Sequence, residues 1–320
     1  MKNLINLLLI SLLLVTFISC SSDDEEKPVE KEFGKIGSHQ VETFTANNTD
    51  LVTVYYPNDI ASMSIKSPLI FFTSGWGSEP FKSTKYDALL RFLASHGHTV
   101  IYTDEGQTTD PNIAINRLET MILNQENSFK NNILPYIDFD KLGVIGHSAG
   151  GGTTLTTLKH FSDYGNKGRF IMELDPWYAF NMSENDIKTI PDNTNFVMLK
   201  FGQGGNSIED GTDARIPLTI YSLLESIPLK NKDYQVYDDE SANHHYPYGE
   251  IDKIQGILKP LDALLDYTFI EQSERTRIAA LENGNDDPYS NGNGIQVVLN
   301  EYEYPCDGAS TIINYCKIVE

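Results

Sequence analysis

From Ser38 to Phe269 the chain alternates short, almost wholly apolar runs with longer stretches whose apolar residues recur every three or four positions. The first kind has the length of a buried strand, the second the period of an amphipathic helix. Gln40 to Thr45 and Leu51 to Tyr56 read as an opening antiparallel pair, followed by a solid apolar strand at Leu69 to Thr73. Ser83 is placed to cap a helix that carries Tyr86, Leu89, Leu90 and Leu93 on one face and stops at Gly97. Next come strand Thr99 to Tyr102, a long helix from Asn112 to Leu134, strand Leu142 to Ile145 and a helix reaching about His160. Strands Phe170 to Leu174 and Phe196 to Phe201, a helix from about Asp213 to Ser226, strand Tyr234 to Tyr237 and a helix from about Tyr248 to Phe269 complete the series.

Such alternation predicts an α/β fold, a mainly parallel central sheet with helices on both faces and ligands at the carboxyl ends of the strands. This domain is expected over residues 36–272. The pattern breaks beyond it: residues 273–320 are rich in Asn, Gly, Asp and Tyr, with one strand-like run at Ile295 to Leu299, and read as a C-terminal extension. There, Asp286, Asp287, Asn291 and Asn293 carry oxygen ligands at a spacing that matches no calcium loop and read as a turn.

The ends change the picture. Lys2, the apolar run Leu4 to Ile18 and the small or apolar residues before Cys20 read as a secretion signal over residues 1–19, too short for a comfortable membrane span. Phe17-Ile18-Ser19-Cys20 resembles a bacterial lipobox, which implies cleavage before Cys20 and lipid attachment there. The acidic run Ser21 to Glu26 resembles a surface-export tag of bacterial lipoproteins, which implies a place on the outer face of the outer membrane, held only by the lipid at Cys20. Residues 20–35 then form a flexible acidic tether. With 45 acidic against 24 basic residues the formal charge is −21, which repels phosphate backbones and argues against a nucleic-acid partner. Cys306 and Cys316, the other two cysteines, lie close together and in an exported chain read as a disulfide closing a small loop, worth about 3 kcal/mol if unstrained.

The candidate chemistry lies where strand Leu142 to Ile145 runs into Gly146-His147-Ser148-Ala149-Gly150. A strand that ends in G-x-S-x-G and turns at once into a helix holds a serine on a sharp turn as an exposed nucleophile, and Gly146 and Gly150 let the two elements approach. Serine is a weak nucleophile until a base takes its proton, and the base needs a carboxylate to hold its tautomer, in the chain order Ser, acid, His. Of seven histidines, His39, His96, His98, His147 and His160 fall before the sheet, at helix ends or inside the turn. His244 and His245 follow the last strand, where the base belongs, and His244 is favoured. The acid is expected after Phe196 to Phe201, yet Asn206 stands there and cannot carry the charge. Asp175, at the end of the neighbouring strand, is therefore the favoured acid, with Glu209, Asp210 and Asp213 as alternatives. The oxyanion donors are expected to be the backbone N–H groups of Ala149 and of Trp76, in the loop Ser74-Gly75-Trp76-Gly77.

Over about residues 40–270 the chain resembles the α/β-hydrolase superfamily. The segment from Ile137 through Gly146-His147-Ser148-Ala149-Gly150 to Gly152 is similar to the dienelactone-hydrolase-like and cutinase-like branch, which includes bacterial polyester hydrolases. Pro176-Trp177 resembles a Pro-Trp pair of those enzymes and implies that Trp177, with Trp76, lines a substrate cleft; Gly75-Trp76 resembles their Gly-Tyr oxyanion turn, and the cysteine pair is also similar. Leu174-Asp175-Pro176 resembles the acid segment of platelet-activating-factor acetylhydrolases and chlorophyllases. The resemblance implies a cofactor-free, monomeric serine esterase acting on small-molecule or polymeric esters. A surface binding protein with a decayed triad and a serine peptidase or amidase are the alternatives.

Overall fold

A strand that is apolar at every position needs cover on both faces, because its side chains alternate between them. The computed structural model describes residues 31–46, 51–77, 82–104, 110–123, 127–201, 215–237 and 242–282. Within them the strands are β1 (Val41–Thr45), β2 (Val52–Pro57), β3 (Ser67–Thr73), β4 (Thr99–Thr103), β5 (Ile137–His147), β6 (Gly168–Leu174), β7 (Thr194–Phe201) and β8 (Lys232–Tyr237). They form one sheet in the order β1-β2-β4-β3-β5-β6-β7-β8. β1 and β2 join antiparallel, and every pairing from β4 to β8 is parallel. This is the α/β sheet expected from the alternation.

The helices are α1 (Asp87–Ser95), α2 (Pro111–Leu123), α3 (Asn127–Asn132), α4 (Ala149–Gly152), α5 (Thr154–His160), α6 (Glu184–Ile187), α7 (Arg215–Leu223), α8 (Gln255–Phe269) and α9 (Glu274–Leu281). On one face Leu69, Phe71, Val144, Ile171 and Met198 pack with Leu118 of α2 and Leu155 and Leu158 of α5. Alternate residues of the same strands, Ile70, Phe72, Ile145, Met172 and Leu199, pack on the other face with Leu89 and Leu93 of α1 and Leu258 and Leu261 of α8. Two cores thus share one sheet, and its strand ends are held from both sides.

Several elements differ from the sequence reading. β5 starts at Ile137 rather than Leu142, because its polar first half still pairs with Ser67 and Pro68 before a register shift brings Leu142 opposite Leu69. Ser83 caps nothing: it opens a 3-10 turn ahead of α1, and its hydroxyl accepts a hydrogen bond from Tyr55. The long helix expected from Asn112 is described as α2 and α3, with a 3-10 turn at Leu134–Tyr136, where Pro135 cannot continue a helix. The last large helix starts at Gln255, after a 3-10 turn at Tyr246–Tyr248 that contains Pro247. Beyond residue 272, α9 was not anticipated; Ser273 caps it by accepting from the Thr276 N–H, and Ala280 and Leu281 enter the core shared with α8.

Candidate active site

β5 runs directly into α4 through Ser148, whose backbone sits at φ 55 and ψ −122. A non-glycine residue at positive φ costs about 1–3 kcal/mol and persists only where its surroundings over-determine it. Here the Ser148 N–H donates to the Leu174 carbonyl at 3.0 Å, and the Ser148 carbonyl accepts from the Trp177 N–H at 3.0 Å. The turn after β6 therefore grips the serine from both sides. A Cβ on Gly146 would lie 2.1 Å from the Gly150 carbonyl oxygen, so no larger residue fits between strand and helix.

Asp175, the residue after β6, has φ 46 and is fully buried. Its N–H donates to the Leu199 carbonyl of β7 at 2.7 Å, which aims the side chain toward the loop beyond β8. Asp175 Oδ2 lies 2.5 Å from His244 Nδ1, and His244 Nε2 lies 3.0 Å from Ser148 Oγ. The other carboxylate oxygen, Oδ1, accepts from Lys200 Nζ at 2.5 Å and from the Phe201 N–H at 3.3 Å. Burial pushes the Asp175 carboxyl up, but the Lys200 ammonium and the His244 bond outweigh it, so Asp175 is held below the usual carboxylate range. An ionised Asp175 takes the His244 Nδ1 proton as its donor, leaving Nε2 free to accept from the serine hydroxyl. Exposed His245 instead stacks on Tyr248, with ring centroids 5.4 Å apart.

A second chain of bonds joins the loops around this trio. His147 is fully buried, and burial together with the nearby His244 pulls it down to about 3, so it is neutral. Its Nε2 lies 2.8 Å from the His244 carbonyl, which can only accept, so Nε2 carries the proton and Nδ1 accepts from the Tyr86 hydroxyl at 2.8 Å. Tyr86 in turn accepts from the Gly75 N–H at 3.0 Å. With the Gly75 donor spent on Tyr86, the next N–H along the loop is that of Trp76. Gly75 passes close to Ser148: a Cβ there would meet Ser148 Cβ at 3.1 Å. Ala149 opens α4, so its N–H has no partner carbonyl in the preceding turn. The Trp76 ring is 47% exposed and lies 6.3 Å from that of half-buried Trp177, at 36°.

Ser148, Asp175 and His244 are thus brought into one hydrogen-bonded chain, with Ala149 adjoining it in sequence. Asn206, Glu209, Asp210 and Asp213 lie outside the described residues, as do Cys20, Cys306, Cys316 and the oxygen-rich stretch Asp286 to Asn293. Among the described residues no group of His, Cys, Asp or Glu side chains converges to hold a metal ion, and no helix is long and apolar enough to cross a membrane. Sequence reasoning passed over Lys200, Tyr86 and His147. Lys200 left a trace, as the only charge in the apolar run Phe196 to Phe201; Tyr86 read only as an apolar position of its helix, and His147 only as a residue inside the turn. No family model matches the chain, and no characterised protein is significantly similar to it in sequence.

Proposed function

We propose that the chain is a serine carboxylic-ester hydrolase with an α/β-hydrolase fold. The observation that carries this reading is the continuous bonding from Asp175 through His244 to a serine held at positive φ on a strand-to-helix turn. His244 takes the Ser148 proton as Oγ attacks the ester carbonyl; Asp175 holds the tautomer and offsets the imidazolium charge. The Ala149 and Trp76 N–H groups bind the oxyanion, the second from the loop after β3, where this fold places it. His244 then protonates the leaving alcohol, and water, activated by the same imidazole, frees the acid. The Trp76 and Trp177 rings belong to the two turns that adjoin Ser148 and lie 6.3 Å apart, and they suit an apolar acyl or aromatic group. On sequence alone we further assign a lipid-anchored place at the cell surface and a monomeric state.

Incubating the protein with a short-chain nitrophenyl ester and a fluorophosphonate probe tests the proposal. Turnover and labelling of Ser148 are expected, both lost in Ser148→Ala. Absence of both from the wild-type chain overturns the reading in favour of a binding protein. Faster cleavage of aminoacyl amides than of esters would point instead to a peptidase.

A further inference from the structure

The acid of the proposed triad has a second cationic neighbour. β6 and β7 run parallel with Leu174 opposite Leu199, so the residues one step further along stand side by side: Asp175 just past the end of β6, and Lys200 still within β7, where it pairs with Val236 of β8. Both side chains are shut away from water, at 0% and 3% exposure, and their charged atoms are 2.5 Å apart. His244 reaches the other oxygen of the same carboxylate at 2.5 Å. Two positive partners therefore divide one negative charge whenever the imidazole is protonated. An imidazolium beside Asp175 alone would enjoy its whole field; with Lys200 in place, part of that field is already balanced.

We propose that Lys200 is a positioning residue that sets the basicity of His244 through their shared carboxylate, keeping the imidazole free to accept a proton at lower pH than Asp175 alone would allow. The role rests on the esterase reading only for its catalytic consequence; the electrostatics stand on the geometry. Among the described residues the other groups facing His244 are few. From the β5–α4 turn come Ser148 and His147, whose rings with His244 are 4.7 Å apart and which carries no charge. His245, on the same loop, lies 5.7 Å away between centroids and points to solvent. Tyr248 packs on His147 and His245, and Lys85 lies 5.5 Å from the Tyr248 ring. Among the described residues, Lys200 is the Lys or Arg in direct contact with the carboxylate that His244 uses. Charge here also fits a design in which the acid sits one strand before Phe196 to Phe201: the neighbouring strand end supplies a counter-ion to hold that acid ionised.

The test compares the full chain with Lys200→Met and with Lys200→Arg, which keeps the charge. The titration midpoint of His244 is read from its imidazole carbon-bound proton by NMR, assigned with His244→Ala, and the pH dependence of fluorophosphonate labelling is followed in parallel. Lys200→Met is expected to raise the His244 midpoint and the acidic limb of labelling by about one pH unit, a roughly tenfold loss of rate on that limb that recovers on the alkaline plateau. Lys200→Arg is expected to keep the wild-type midpoint. Lys200→Gln, which can still donate to Asp175, serves if Lys200→Met does not fold, with the same shift expected. A midpoint within about 0.2 units of wild type, alongside a lowered Tm, overturns the proposal and leaves Lys200 a purely structural counter-ion. A wild-type chain that neither labels nor turns over esters would overturn the esterase reading instead, while the NMR midpoint would still decide the role of Lys200.

Discussion

Glu173 and Asp175 lie two residues apart at the end of one strand, and both are buried, at 2% and 0% exposure. They end in opposite states. Burial pushes Glu173 up to about 8; a Thr154 hydroxyl lies 2.5 Å from Oε1, and among the described residues Oε2 has no partner. Thr154 also donates to the Gly151 carbonyl at 2.8 Å, and since its hydroxyl has one proton, a protonated Glu173 completes both bonds. Asp175 is equally deprived of water but meets Lys200, His244 and the Phe201 N–H, and it stays ionised. Depth does not set charge in this site; the partners do, and they sort one carboxyl into the scaffold beneath α4 and the other into the proposed triad.

Making Asp175 as neutral as Glu173 should have the largest effect. Asp175→Asn is expected to lower kcat by about 10⁴-fold, because an amide can hold His244 in the wrong tautomer and cannot offset its charge. It also takes from the buried Lys200 ammonium the carboxylate that balances its charge, so a Tm below wild type is expected in the same preparation; near-normal turnover would show that the acid lies elsewhere.

Glu173→Gln freezes the other carboxyl in its neutral form. The folded-state value of Glu173 is raised, so its contribution to stability is full below about 4.5 and is lost as pH climbs through about 8. The variant should escape that loss, melting roughly 5 °C higher than wild type at pH 9 and within about 1 °C of it at pH 4.5, with esterase rates unaltered. Thermal scans at the two pH values decide this, and a parallel offset at both would assign the effect to packing.

Tyr86→Phe asks whether neutral, bonded groups contribute to the site as the charged ones do. It removes the link between Gly75 and His147, and a tenfold fall in kcat is expected with KM little changed, about 1.4 kcal/mol of lost preorganisation. Smallest should be Thr154→Val, which deprives Glu173 Oε1 of its hydrogen-bond partner for a stability loss of about 1 kcal/mol, measurable as a shift in the urea midpoint.

The legible part of the fold came from residues whose neighbours in sequence are also their reason for being where they are. Leu69 to Thr73 and Phe196 to Phe201 announce buried strands because apolar residues fill every position, and Gly97, at φ 90, ends α1 as its type suggests. The first half of β5 was not legible, since Asp138 and Lys141 look like loop until Pro68 of β3 and Gly168 of β6 are alongside to pair with them. α9 was hidden in the same way, its apolar residues too few to stand out from the polar stretch that follows.

By itself the sequence determined the alternating α/β series, the glycine-flanked Ser148 at a strand end, and the late position of His244. These follow from steric and periodic constraints that act over a few residues. Only the tertiary structure decided that Asp175 turns toward His244, that Lys200 stands on its other side, and that His147 and Tyr86 tie the Gly75 loop to the His244 loop. Charge state in a buried site depends on groups brought together across three parallel strands, and strand register carries that information, not the order of residues along any one of them.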